Sequence, residues 1–158
     1  MLECKYLGFF IDACREHLFS FTQVEADVNQ ISRVQGRNQQ VFISAVIGLV
    51  GEMEGSASLS LPKELALKIA SQMLMEEVEE FSFEVRDAIG EFANIVIGTA
   101  RNKLADLSFG GEKITPPTII VGEGHRVFYS PRVEITEVEF SSPQGVFFLT
   151  IGLKARRK

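Results

Sequence analysis

Glu91 and Asn94 stand three positions apart in the stretch DAIGEFANIVIGTA, with Asp87 four before and Gly98 four after. On a helix turning 100° per residue this spacing aligns all four on one stripe. A glutamate and an asparagine one turn apart could hold a hard metal ion, but no third carboxylate or histidine lies near enough in sequence to complete a shell. They could act as general acid and base, but a solvated helix face offers no apolar pocket to raise the glutamate's pKa. Or they could enter a partner's site, the carboxamide orienting a water and the carboxylate pairing with a partner cation. Amide-oriented water is a recurring device of phosphoryl hydrolysis.

The plain alternative is a solvated helix face. Three details weigh against it. Asparagine is a poor mid-helix residue because its amide competes for backbone groups. Gly98 gives up a side chain where one would cost nothing to keep, and a glycine permits close approach by another backbone. Glu91 has no helical ion-pair partner, since Asp87 and Ile95 flank it at four residues. The far side of the same helix is apolar: Val85, Ile89, Phe92, Val96 and Leu107 cluster within about 40° of one another's bisector.

The elements that must present this stripe follow from periodicity. A first helix spans about Lys5 to Phe21, with Tyr6, Phe9, Phe10, Ala13 and Leu18 inward; residues 24–38 are polar and mixed, with turn signals at Gly36 and Asn38. A hairpin follows: Val41, Ile43, Ala45, Ile47 and Leu49 alternate on a strand apolar on both sides. GSASLSL puts Ala57, Leu59 and Leu61 inward and Ser56, Ser58 and Ser60 on a wet face. Pro62 opens a second helix, and Phe83 to about Leu107 forms the third, stopped by the glycines of Phe109–Gly111. TPPT at 115–118 excludes helix and central strand. About four strands complete the chain. Two of them form a hairpin around Gly122–Gly124; a third slips phase between Ile135 and Val138, which predicts a bulge near Thr136; the last carries Phe147, Leu149, Ile151 and Leu153 on one face. The expected fold is α+β, an antiparallel sheet packed on helices in the order α-β-β-α-α-β-β-β-β, as one domain over 1–158. Asp12-Ala13-x-x-Glu16 and Asp87-Ala88-x-x-Glu91 echo each other, each on a helix followed by strands, which hints at a duplicated, pseudo-symmetric fold.

Bulk properties exclude several classes. The chain of 158 residues carries 16 basic and 21 acidic residues, a net charge of −5, so a nucleic-acid backbone is not its main partner. The cationic tail Lys154–Lys158 reads as solvation. Cys4 and Cys14, if both lie on the first helix, are separated by roughly 15 Å and form neither a bridge nor a zinc site. No secretory signal is visible and the near-apolar run from Val41 falls short of the about 20 residues a membrane helix needs, so the expectation is a soluble, cytoplasmic protein. His125 is expected to be an exposed loop residue.

With Asp87, Glu91, Asn94 and, after twenty-two residues, Pro117, the chain resembles the CheC/CheX family of chemotaxis phosphatases, whose signature is Asp or Ser, three residues, Glu, two residues, Asn, twenty-two residues, Pro. SASLSLPKELALKIASQML and KITPPT also look like family segments. The resemblance implies hydrolysis of the aspartyl phosphate on a CheY-like response regulator. Asn94 would orient the attacking water and Glu91 would pair with the regulator's lysine. Asp87, Gly98 and Pro117 would serve partner contact and loop shaping. It implies no cofactor or metal of this chain's own, the Mg²⁺ being supplied by the regulator. CheC-like members carry the signature twice; here Phe19 stands where the first asparagine belongs, so one centre per chain is expected, as in CheX-like members, which are typically homodimers joined through the sheet. A non-catalytic adaptor that binds a regulator or a flagellar switch component is the alternative.

Overall fold

A computed structural model describes residues 2–33, 41–106, 113–127, 129–130 and 132–155. Three helices, α1 (Leu2–Thr22), α2 (Lys63–Leu74) and α3 (Phe83–Asp106), pack together against a sheet of seven strands. The strands are β1 (Asp27–Ser32), β2 (Ile43–Val50), β3 (Met53–Leu61), β4 (Lys113–Ile114), β5 (Thr118–Val121), β6 (Ile135–Ser142) and β7 (Gly145–Ala155). Every pairing is antiparallel. The expected α+β class holds, with one strand more than the sequence order gave: β1 precedes the β2–β3 hairpin.

The strand order is β1-β6-β7-β3-β2-β4, with β5 also paired to β2. It reads the same from either end: a hairpin on each side of the β7–β3 seam, and on each hairpin's outer edge a short strand from the other half of the chain. Each half is a helix, an edge strand and a hairpin, α1-β1-β2-β3 and α3-β5-β6-β7. The echo between Asp12 and Asp87 therefore marks equivalent helices.

The core lies between the helices and one sheet face. Ile43, Ala45, Ile47 and Leu49 of β2 and Phe147, Leu149, Ile151 and Leu153 of β7 meet Phe10, Leu18, Leu65, Ile69, Val85, Ile89, Phe92 and Val96, all buried, as the two periodicities predict. Phe140 and Phe147 stack across β6–β7, with ring centroids 4.7 Å apart. Leu107, the glycines at 110–111 and the turn signals at Gly36 and Asn38 lie outside the described residues.

The opposite sheet face departs from expectation. Ser58 and Ser60 are buried, not wet. Residues 122–134, expected to continue as the second arm of a hairpin, instead cross this face without strand pairing among the described residues. Tyr129 Oη donates to Ser58 Oγ at 2.7 Å, and His125 is half-buried, not exposed. Its Nδ1–H donates to the Gly122 carbonyl at 2.6 Å, which leaves Nε2 to accept from Ser44 Oγ at 2.6 Å; Ser44 in turn meets Ser60 Oγ at 2.7 Å. The β6–β7 register runs unbroken from Ile135 to Ser142, so no bulge lies at Thr136; the irregularity sits in β1, between Val28 and Gln30. No helix among the described residues is long and apolar enough to cross a membrane.

Candidate functional site

Ser82 starts α3: its Oγ accepts from the Val85 N–H at 3.3 Å, the N-cap geometry that satisfies one orphan donor. The stripe then runs from solvent toward a covered turn of the helix. Asp87 is exposed, 3.9 Å from Arg86 Nη1. Glu91 is exposed and makes no ion pair among the described residues. Asn94, one turn on, is half-buried, and its Oδ1 is buried with no hydrogen-bond partner among the described residues. Gly98 is fully covered.

What covers the far end of the stripe is the arm between β4 and β5. On β2, Leu49 pairs with Ile114 and Val46 with Thr118. Two β2 residues, Ile47 and Gly48, thus face three on the arm, Thr115, Pro116 and Pro117. One residue too many makes a bulge, and two prolines that lack an N–H suit it because neither could join the ladder. Gly48 clamps the bulge: its N–H donates to Thr115 Oγ1 at 2.8 Å and its carbonyl accepts from the Thr115 N–H at 2.9 Å. A Cβ on Gly48 would stand 3.0 Å from Thr115 Cγ2, so a larger residue there would lift the arm.

Pro117 is brought against α3. A Cβ on Gly90 would lie 3.1 Å from Pro117 Cγ and 3.5 Å from Ile119 Cδ1. Gly98 is looser, its nearest neighbour being Ile114 Cδ1 at 3.9 Å from a notional Cβ. Gly90 and Gly98 are the i−4 and i+4 neighbours of Asn94, so the carboxamide sits between two side-chain-free turns alongside the arm. Of the five residues singled out in the sequence, Asp87, Glu91 and Asn94 follow one another along α3, and Pro117 meets the same helix at Gly90. Gly98 does not face outward; it lies beneath Ile114. Gly48, Gly90 and Thr115 belong to the positioning apparatus, and a glycine inside an apolar strand at position 48 was the available signal for close backbone approach.

An orphaned buried acceptor is unfavourable by about 1–3 kcal/mol, and buried polar groups are rarely left so. Rotation about χ2 exchanges Oδ1 with Nδ2, so this carboxamide can offer either an acceptor or a donor pair to a group that approaches it. On α1 the equivalent positions are Asp12 and Glu16, both exposed, and Phe19, which is 44% exposed and does not serve the core packing. It offers no hydrogen bond. The helices are tied across by His17 Nε2 and Thr99 Oγ1 at 2.8 Å.

Comparison with known proteins agrees with the fold and the family resemblance. The family described as chemotaxis phosphatase CheX matches residues 43–141. A curated relative from Thermotoga maritima, the CheY-P phosphatase CheX, is 37% identical over 130 residues, covering 80% of this chain and 81% of the relative. The crystal structure of the chemotaxis protein CheX from Vibrio vulnificus superposes with a TM-score of 0.87 at 27% identity, over 95% of this chain and 99% of that one. The Borrelia burgdorferi CheX in a CheX–CheY–BeF3–Mg²⁺ complex gives a TM-score of 0.76 at 26% identity, over 94% and 97%. An α+β fold of three helices on an antiparallel sheet defines the class, and the chain belongs to the chemotaxis phosphatase CheX family.

Proposed function

We propose that this chain hydrolyses the aspartyl phosphate of a CheY-like response regulator, inserting Asn94 beside the phosphoryl group. The observation that carries the reading is the Asn94 carboxamide, half-buried one turn beyond the exposed Glu91, with an Oδ1 that no group among the described residues satisfies. Docking gives the carboxamide its partner: it hydrogen-bonds the attacking water and holds its oxygen in line with the phosphorus. The water oxygen forms the new bond to phosphorus, the bond to the aspartyl oxygen breaks, and inorganic phosphate leaves the regulator's free carboxylate behind. Glu91, exposed and without an ion pair, takes the regulator's lysine; Asp87 extends the acidic docking ridge, and Pro117 fixes the arm beside Asn94. The phosphorylated aspartate and its Mg²⁺ belong to the regulator. The identity to a curated phosphatase of CheY-P supports this substrate class, and the reaction is placed in the cytoplasm. Two copies pairing through the sheet accompany the reading; sedimentation reads that mass directly.

The test is phosphate release from the phosphorylated receiver domains encoded in the same genome. Asn94→Ala is expected to lose about 10²-fold or more in rate with docking retained, the scale seen when one preorganised polar group is removed. Glu91→Lys sets like charges face to face and is expected to weaken docking itself. Full-rate hydrolysis by Asn94→Ala ends this mechanism, and docking with an unchanged phosphate lifetime would identify an adaptor instead.

A further inference from the structure

Phe83 is the first residue of α3 and is 78% exposed, the most exposed aromatic side chain among the described residues. Helix-start chemistry does not ask for it. Position N1 favours proline or a small or acidic residue, and Ser82 already supplies the cap. Core packing does not ask for it either, since the ring faces solvent while the neighbouring Phe81 fills the interior role, edge-on to Phe42 with centroids 5.6 Å apart.

Its position is specific. Phe83 precedes Asp87 by four residues and so continues the stripe of Asp87, Glu91 and Asn94 one turn toward the helix start. Along the axis it lies about 16 Å from Asn94. A standard interface of about 800 Å² per partner is roughly 30 Å across, so a partner centred on Glu91 covers Phe83 as well. Beside it runs the linker from α2, with Glu76, Glu77, Glu79 and Glu80, a run of acids matched to a face that presents a lysine and a divalent cation. At the same end stands Met75, 91% exposed and held at φ 57, a conformation unfavourable for a non-glycine residue. A ridge that reads apolar anchor, acid, acid, amide is the composition of an interface with a hot spot at one end and chemistry at the other.

We infer that Phe83 is the apolar anchor of the docking surface, its ring seating in an apolar depression of the receiver domain about 16 Å from the phosphorylated aspartate, and that it sets affinity for that domain without touching the reacting atoms. This rests on the reading of Asn94 given above. The anchor supplies binding that is the same in ground and transition states, so its loss should appear in KM and leave kcat alone.

The experiment is steady-state phosphate release from the receiver domain that the wild-type chain dephosphorylates, using wild type, Phe83→Ala and Phe83→Leu, with thermal unfolding of each. Phe83→Ala is expected to raise KM about 10- to 30-fold, the range of a hot-spot truncation. Its kcat should stay within twofold and its unfolding midpoint should not move; Phe83→Leu should recover part of the affinity. An unchanged KM for Phe83→Ala beside an active wild type overturns the anchor and leaves the phosphatase reading standing. A fall in kcat at constant KM also overturns it. Wild type inactive on every receiver domain tried overturns the phosphatase reading, and the anchor falls with it.

Discussion

Replacing Asn94 by alanine sets stability against chemistry at a single side chain. In the free chain Oδ1 is buried and unpaired, and removing such an acceptor recovers about 1–3 kcal/mol of desolvation. Alanine also gains roughly 0.5 kcal/mol over asparagine in a helix interior. Against this stands the packing of a half-buried side chain between Gly90 and Gly98, where few atoms are within reach, a loss of about 1 kcal/mol. The sum is a stabilisation of about 0.5–2.5 kcal/mol, and at about 2–4 °C per kcal/mol for a chain of this length the midpoint should rise by roughly 1–10 °C. Chemical denaturation should show a higher midpoint at unchanged slope. A binding group kept for a visitor is a strain on its own fold. If Asn94→Ala lowers stability by more than 1 kcal/mol, the carboxamide is a structural member of the fold, and the premise that its pairing is reserved for a partner is refuted.

Four further outcomes follow from the same geometry. Gly98→Ala meets only an ordinary contact at 3.9 Å and should stabilise by about 0.5–1 kcal/mol through helix propensity, read by urea unfolding. Gly90→Ala has the same propensity gain but drives a Cβ to 3.1 Å from the Pro117 ring; it should be less stable than Gly98→Ala by about 1–3 kcal/mol and should slow hydrolysis, because the arm beside Asn94 moves. His125→Ala removes the bonds to Ser44 and Gly122, should be less stable by about 1–2 kcal/mol, and should open residues 122–134 to limited proteolysis without affecting the α3 site. Burial pushes the Cys14 thiol from 9.0 up to about 12. Below pH 9 the thiol is protonated whether folded or unfolded and contributes nothing to the pH dependence. Above it the unfolded chain ionises first, so stability falls by up to about 1.4 kcal/mol per unit until the folded thiol also titrates. Cys14→Ala should flatten that slope, and in a Cys4→Ser background the native protein should resist alkylation at pH 8.

The core face of α3 was legible because Val85, Ile89, Phe92 and Val96 repeat at the helical period, and the chemical stripe was legible as its complement. The point at which the stripe submerges was not. Gly98 lies on the same meridian as Asp87, and only the β4–β5 arm, placed by pairing with β2, decides that one is covered and the other wet. The strand β1 escaped notice because its residues are mostly exposed at a sheet edge, where alternation of apolar and polar types is not required. VFY at 127–129 has strand propensity, yet Tyr129 satisfies its hydroxyl on Ser58 by crossing the sheet, a tertiary choice that overrides local preference. The same crossing explains why Ser58 and Ser60, alternating like a wet face, are buried. The phase slip near Thr136 is a change of face without a bulge: Ile135 sits with Val133 and Tyr129 over Gly152, while Val138 and Phe140 join the core against the helices.

The palindromic sheet governs how the molecule can assemble. Asp27 pairs with Ser141 and Val46 with Thr118, so each half lends its edge strand to the other and neither hairpin is completed locally. Such distant pairings make for slow folding, since large loops must close before the contacts that reward them form. A chain severed in the linker after α2 should yield two fragments that remain unfolded apart and regain structure when mixed, and only the reunited pair would set the β2-bound arm against the helix that carries Asn94.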